Sequence, residues 1–252
     1  MRVSLTPIPG IPDIHPGDNL ALIVGDALAP MGLTGGDILT SAHKIFSKAE
    51  GQVIALADVT PSPRAREIAT ELNKDPRKVE VILSESTRVV KTFRHPHQSE
   101  GVMICQHRLG FISANAAVDE SNTGADETVI LLPKDPDASA RAFRDALTAR
   151  FDTRLGVVIT DTFGRPWRLG QVNVAIGLAG VPATRHEGGR KDAYGRDLAV
   201  TEPAFADEIA TASGLVVGKA AQTPVVLVRG LTWEDTNDTA ADILRPGKEN
   251  VF

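Results

Sequence analysis

The chain has 252 residues, 42% of them hydrophobic and 23% charged, a length that serves one large domain or two small lobes without disulfides or structural zinc. Lys and Arg number 27 against 32 Asp and Glu, a formal net charge of −5, which argues against a general nucleic-acid binder with a basic face. Aromatics at 4% supply little base-stacking surface, and the lone Cys105 permits neither an internal disulfide nor a zinc knuckle. No apolar run approaches a membrane span and Met1-Arg-Val-Ser-Leu-Thr-Pro is no signal peptide, so a reducing, cytoplasmic setting is expected.

In chain order, Val3 to Ile8 reads as a strand ending at Pro9-Gly10, and Asp18 to Leu28 as a helix. Asp37 to Phe46 reads as a strand with polar insertions, and Val53 to Leu56 as another. Ser62-Pro63 and Asp75-Pro76 each open a helix, a capping side chain followed by proline at the first helical position. Ile68, Ala69 and Leu72 line the first, and Val79, Ile82 and Leu83 the second. Val102 to Ser113 suggests a hairpin around Leu109-Gly110, with Cys105 a core residue, and Thr128 to Leu132 is a buried strand. Asp137 is expected to cap a helix carrying Phe143, Ala146, Leu147 and Phe151. Leu155 to Thr160 is a central strand, Val172 to Leu178 another, Phe205 to Val217 a helix and Pro224 to Val228 the last strand. Strands and helices mix without a βαβ rhythm, which favours α+β over a doubly wound sheet.

Three constellations carry chemistry. Asp161-Thr162, expected at the carboxyl end of the apolar strand, offers the hard oxygens that Mg²⁺ or Mn²⁺ takes, and also reads as a turn that caps Gly164. Asn115-Ala-Ala-Val-Asp119-Glu-Ser-Asn122 pairs an aspartate with an asparagine three residues on, and also reads as an Asx-rich turn. His43-Lys44 with Ser47-Lys48 places two lysines where they bind phosphate as point charges, or blunt an edge strand. The stretch from Phe163 to Gly195, rich in glycine and in arginine, reads as an anion-binding loop region or as ordinary solvated surface. His95-Pro-His97 reads as a loop, with metal binding by the two histidines as the alternative. There is no Walker A loop and no GxGxxG after a strand, so neither P-loop nor Rossmann binding is indicated.

Six segments in order, Gly10-Ile-Pro-Asp-Ile14 with Gly17-Asp18, Ser47-Lys-Ala-Glu-Gly51, Asn115 to Asn122, Thr160-Asp-Thr-Phe-Gly-Arg165, Gly189-Arg-Lys-Asp-Ala-Tyr-Gly-Arg196 and Val228-Arg-Gly-Leu231, resemble the coenzyme F420-0:L-glutamate ligase (CofE-like) family. The likeness runs nearly end to end. It implies an α+β fold of two interleaved lobes with mixed β-sheets, residues 1–252 forming one unit without a nitroreductase-like extension, and an intertwined homodimer. It implies GTP contacts at Ile11, Pro12, Asp13, Ile14, His43, Lys48 and Asn122, and at Val217, Gly218 and Lys219 on a nucleotide loop running to Thr223. Asp119, Asp161 and Thr162 fall where the family holds Mg²⁺ or Mn²⁺, two ions being expected, with Asp119 and Asp161 as the catalytic pair; K⁺ is left open as a further ion. Some archaeal members carry a metal-binding Glu where this chain has Lys219, so water or a phosphate oxygen fills that place, or Lys219 itself neutralises phosphate. Arg165, Arg190 and Lys191 are assigned by charge to the anionic coenzyme or the glutamate carboxylates. The implied reaction joins L-glutamate to coenzyme F420-0 through an acyl phosphate, with GTP giving GDP and phosphate, and continuation to γ-linked oligoglutamate open. The alternatives are a related nucleotide-dependent ligase with another acid acceptor, a metal-dependent phosphohydrolase, or a binding protein without activity.

Overall fold

The computed structural model describes residues 2–95, 97–121, 127–189, 191–197, 201–218 and 222–249. The chain opens with strand β1 (Ser4–Pro7) and helix α1 (Leu20–Leu28), which is capped by Asn19 through the Leu22 N–H, while Asp18 holds the His15 N–H one turn earlier. Strand β2 (Asp37–Ala42) then passes directly into helix α2 (His43–Ala49), so the expected continuous strand to Phe46 is corrected. Every residue of β2 before Ala42 is buried, so no alternation marks its end. Past Ala42, His43, Phe46 and Ser47 are buried at helical spacing.

Residues 53–131 hold the smaller sheets. Strand β3 (Val53–Ala55) is followed by α3 (Pro63–Leu72) and α4 (Pro76–Ser84), capped by Ser62 and Asp75 with proline at the start of each, as the sequence indicates. Strands β4 (Ser86–Phe93), β5 (Val102–His107) and β6 (Ile112–Ala114) form an antiparallel sheet, with the expected turn at Gly110. Strand β4 was not legible, being polar, largely exposed and twice shifted in register against β5. Strand β7 (Thr128–Ile130) pairs with β3.

Helix α5 (Pro136–Phe151) follows, its true cap being Asp135, which accepts from the Ala138 N–H. The expected cap, Asp137, instead accepts from the N–H groups of Leu178 and Ala240. Strands β8 (Leu155–Arg165) and β9 (Arg168–Ala179) make a long hairpin, helix α6 (Phe205–Ser213) is shorter than expected, and β10 (Val225–Arg229) closes the main sheet. That sheet has the order β1-β10-β2-β8-β9, with β2 and β8 parallel and every other neighbour antiparallel. Three separate sheets with helices packed against them make the fold α+β, as expected.

The principal hydrophobic cluster lies on the five-stranded sheet, where Ile38, Val157, Ile159 and Leu178 meet Phe143 and Leu147 of α5 and Ile209 of α6. Gly177 makes the approach of α5 possible, because a Cβ there would lie 2.6 Å from the Pro136 carbonyl oxygen. A second cluster joins α3 and α4 to β5 and contains Cys105, which is fully buried with its thiol pushed up by desolvation, a core residue as expected. A third joins Leu56 and Val81 to Val129 and Leu131. Among the described residues no helix is long and apolar enough to cross a membrane.

Candidate functional site

The parallel register of β2 and β8 sets Ala42 opposite Thr160, so the residues that follow, His43 and Asp161, meet at one end of the sheet. His43 Nε2 lies 3.4 Å from Asp161 Oδ1, with the imidazole buried and the carboxylate nearly so. His43 Nδ1 lies 3.0 Å from Ser47 Oγ one helical turn on, which fixes the ring. Nε2 has no hydrogen-bond partner among the described residues, although it is fully enclosed. A buried ring nitrogen left unsatisfied beside a carboxylate is uncommon in an inert core.

Asp161 is not at the end of its strand, as expected, because pairing continues with Asp161 opposite Val174 and Thr162 opposite Asn173 out to Arg165. Nor does Asp161 cap Gly164; its Oδ1 accepts the Thr162 N–H at 2.7 Å. Strand alternation turns Asp161 toward α2 and Thr162 toward the end of α6. The Thr162 hydroxyl donates to Asn173 Oδ1 at 3.0 Å.

Helix α2 joins two more segments to this point. Lys44 Nζ lies 2.7 Å from Asp119 Oδ2 and donates to the Ser121 carbonyl and hydroxyl at 2.9 and 2.6 Å. Asp119 also accepts from the Ser121 N–H and hydroxyl, and its backbone exchanges hydrogen bonds with Ile130 at the end of β7. Burial works against the Asp119 charge, but Lys44 and Ser121 outweigh it and hold the carboxyl below its ordinary range. One turn after Lys44, Lys48 Nζ lies 2.6 Å from Asp13 Oδ1 in the Ile11–Ile14 segment. Lys48 lowers the Asp13 pKa against a smaller opposing effect of burial. Ile11 and Ile14 are buried in the principal core and anchor that segment.

A seven-residue helix thus presents His43 to Asp161, Lys44 to Asp119 and Lys48 to Asp13. The run into β10, which is antiparallel to β2, reaches the same end of the sheet from Thr223, whose buried hydroxyl has no partner among the described residues. Val217 packs at the edge of the principal core. Asn122, Lys219 and Arg190 lie outside the described residues. Arg165 is at the hairpin tip, where its guanidinium bonds the Leu169 carbonyl, and Lys191 forms a backbone bridge with Asp197. Neither is tied by a hydrogen bond or ion pair to Asp161 or Asp119 among the described residues. Sequence reading left Lys44 between a phosphate contact and an edge-strand charge, the structure pairs it with Asp119, and neither Ser121 nor Asn173 was singled out for a role. Only the approach of distant segments reveals these partners.

Carboxylates and lysines from distant segments thus gather around one end of the main sheet, on an α+β frame without a P-loop motif. The sequence profile described as F420-0:Gamma-glutamyl ligase matches residues 10–230, and the chain belongs to that family. It is similar to the coenzyme F420:L-glutamate ligases of Methanothermobacter thermautotrophicus, at 39% identity over 100% of this chain and 99% of that one, and of Methanopyrus kandleri, at 43% over 99% and 97%. The protein of the same name from Halobacterium salinarum is 41% identical over 90% of this chain and 87% of its own.

Proposed function

We propose that this protein is a cytoplasmic, GTP-dependent ligase that joins L-glutamate to coenzyme F420-0. Membership of the family and the names of its full-length relatives support the ligase and its two substrates. The observation that carries the reading is the convergence of three family segments on α2, with buried His43 facing Asp161.

In this reading the free carboxylate of F420-0 takes the γ-phosphoryl group of GTP, releasing GDP. The glutamate amine then attacks the acyl phosphate, forming the amide bond as phosphate leaves. Such a transfer between anions needs charge neutralisation and positioning more than covalent help. Lys44 and Lys48 bring two cations to the site, each held in place by a carboxylate. His43 and Ser47 fix the wall against which Asp161 is set.

The donors present fit a hard divalent ion. Oδ2 of Asp161 accepts no hydrogen bond among the described residues, and the enclosed His43 nitrogen beside that carboxylate is an unmet polar group. No group of three His, Cys, Asp or Glu closes a cage among the described residues, and Mg²⁺ commonly keeps only one or two carboxylates and completes its shell with phosphate oxygens and water. Asp161 and Thr162 would offer such an ion oxygens from adjacent positions of β8, and Asp119 would join once Lys44 is displaced. When bound, Mg²⁺ or Mn²⁺ supplies neutralisation of the charge that builds on the transferring phosphoryl group. The exposed Leu169, Tyr194 and Leu215 support a homodimer.

The test is mass spectrometry of F420-0 incubated with the protein, GTP, L-glutamate and Mn²⁺. A product heavier by one glutamyl unit, or a ladder of them, is expected, and is lost in chelator. GDP without that product would make the protein a hydrolase or a ligase for another acid, and neither product would leave a binding protein.

A further inference from the structure

We infer that Asn173 is a positioning residue that aims the Thr162 hydroxyl. The inference rests on the proposed metal-dependent reading of the site. A threonine hydroxyl has one proton and two lone pairs, and it serves a cation only if the proton points elsewhere. Thr162 Oγ1 donates its proton to Asn173 Oδ1 at 3.0 Å, across a directly paired position of the β8–β9 hairpin. Its lone pairs therefore face away from β9. Thr162 is exposed, so without Asn173 the hydroxyl would rotate among water partners.

Asn173 is itself held on three sides. Its backbone is paired with Thr162, and its carbonyl accepts the Thr211 hydroxyl of α6 at 2.9 Å. Its amide lies against Gly214, where a Cβ would come within 3.3 Å of both Cγ and Nδ2. Gly214 caps α6, immediately before the segment through Val217 and Gly218. Asn173 thus links the Thr162 oxygen to the helix that delivers that segment. An ordinary cross-strand polar pair would contribute to stability alone, and the experiment separates the two roles.

Mn²⁺ binding in the presence of GDP, read by electron paramagnetic resonance, tests this without turnover. Asn173→Leu is expected to weaken Mn²⁺ affinity at least about tenfold, the usual lower figure for removal of a group that orients a ligand. Asn173→Asp, which keeps an oxygen acceptor, is expected to restore it. Thr162→Val is expected to weaken binding similarly, and adding Asn173→Leu to it should change nothing further, because the two act through one oxygen. If wild-type protein binds Mn²⁺ and Asn173→Leu binds it equally, the positioning role is wrong while the metal reading stands. If wild-type protein binds none, the metal reading itself fails and this inference goes with it. Asn173→Ala serves should the leucine variant not fold.

Discussion

Asp161 is held by the Thr162 N–H, yet it faces a histidine Nε2 that has no hydrogen-bond partner among the described residues. Asp161→Asn keeps the shape and an acceptor for that N–H and removes only the charge. Removing one preorganised electrostatic group commonly lowers kcat by about 10²–10³, and a loss of that size is expected here. Far-UV circular dichroism should show a melting temperature close to wild type, and a variant unfolded at assay temperature would sink the assignment. The contrast is with Asp37, a fully buried carboxylate that accepts from the Thr34 backbone and hydroxyl and from the Arg229 guanidinium at 2.6 and 2.8 Å. Asp37→Ala leaves that guanidinium with the Gly32 carbonyl but without its countercharge, which costs about 3 kcal/mol, the lower end for a broken buried pair because Arg229 is partly solvated. Urea unfolding measures it, with no specific effect expected on the chemistry.

At the scale of elements, the turn that delivers Asp119 is unusual. Asn115, Ala116 and Ala117 have φ of 52, 50 and 56°, three successive non-glycine residues in the left-handed region, each costing about 1–2 kcal/mol. The Asn115 side chain accepts from the Met103 N–H, and Ala116 is buried in the cluster under β5, which together hold the turn. Ala116→Val adds a branched side chain to a filled space and to a backbone that resists it, so a loss above about 2 kcal/mol is expected. Ala116→Gly is expected to be near neutral, because relief of about 1–2 kcal/mol is offset by a lost methyl worth about 0.8 and by glycine's chain entropy of about 0.5–1. Urea midpoints of the pair check both. The Asn115–Asp119 segment stood out in the sequence because its polar residues interrupt apolar runs, while its left-handed course was not legible. The helices opened by Ser62-Pro63 and Asp75-Pro76 were legible because capping is local. Helix α2 was not, since both it and β2 are buried and His43 follows an alanine that lends no side-chain cap. The three acidic partners of α2 come from residues 13, 119 and 161, and only the parallel register of β2 with β8 and the bridge from Asp119 to Ile130 bring the last two to it.

At the scale of the whole molecule, two sets of carboxylates respond to acid in opposite directions. Glu85, at the end of α4, accepts from buried His107 at 3.1 Å and from Arg108, whose guanidinium continues to the carbonyls of Pro133 and Lys134 ahead of α5. His107 Nδ1 accepts the Leu109 N–H, so Nε2 carries the proton that goes to Glu85. The bond from His107 lowers the Glu85 pKa below its ordinary 4.5 against the opposing effect of burial. A lowered carboxyl binds fewer protons folded than unfolded, so its contribution is present above the unfolded value and is lost as pH falls through the folded one. Asp137 and Asp207 behave conversely. Burial raises both above 3.8, even though they accept the N–H groups of Leu178 and Ala175 along the outer edge of β9. Their contribution is present below 3.8 and is lost as pH rises through their folded values. Glu85→Gln should therefore cost about 2 kcal/mol at pH 7, the usual size for a hydrogen bond to a charged group, with the deficit closing as the pH is taken down through the carboxylate range. Asp207→Asn, which keeps an acceptor for Ala175, should be no less stable than wild type at pH 7 and lose any advantage on acidification. Urea unfolding of both variants at pH 7 and pH 4 reads the two signs directly. A Glu85→Gln deficit unchanged between those conditions would mean that the bridge from α4 to α5 owes its strength to shape and not to charge.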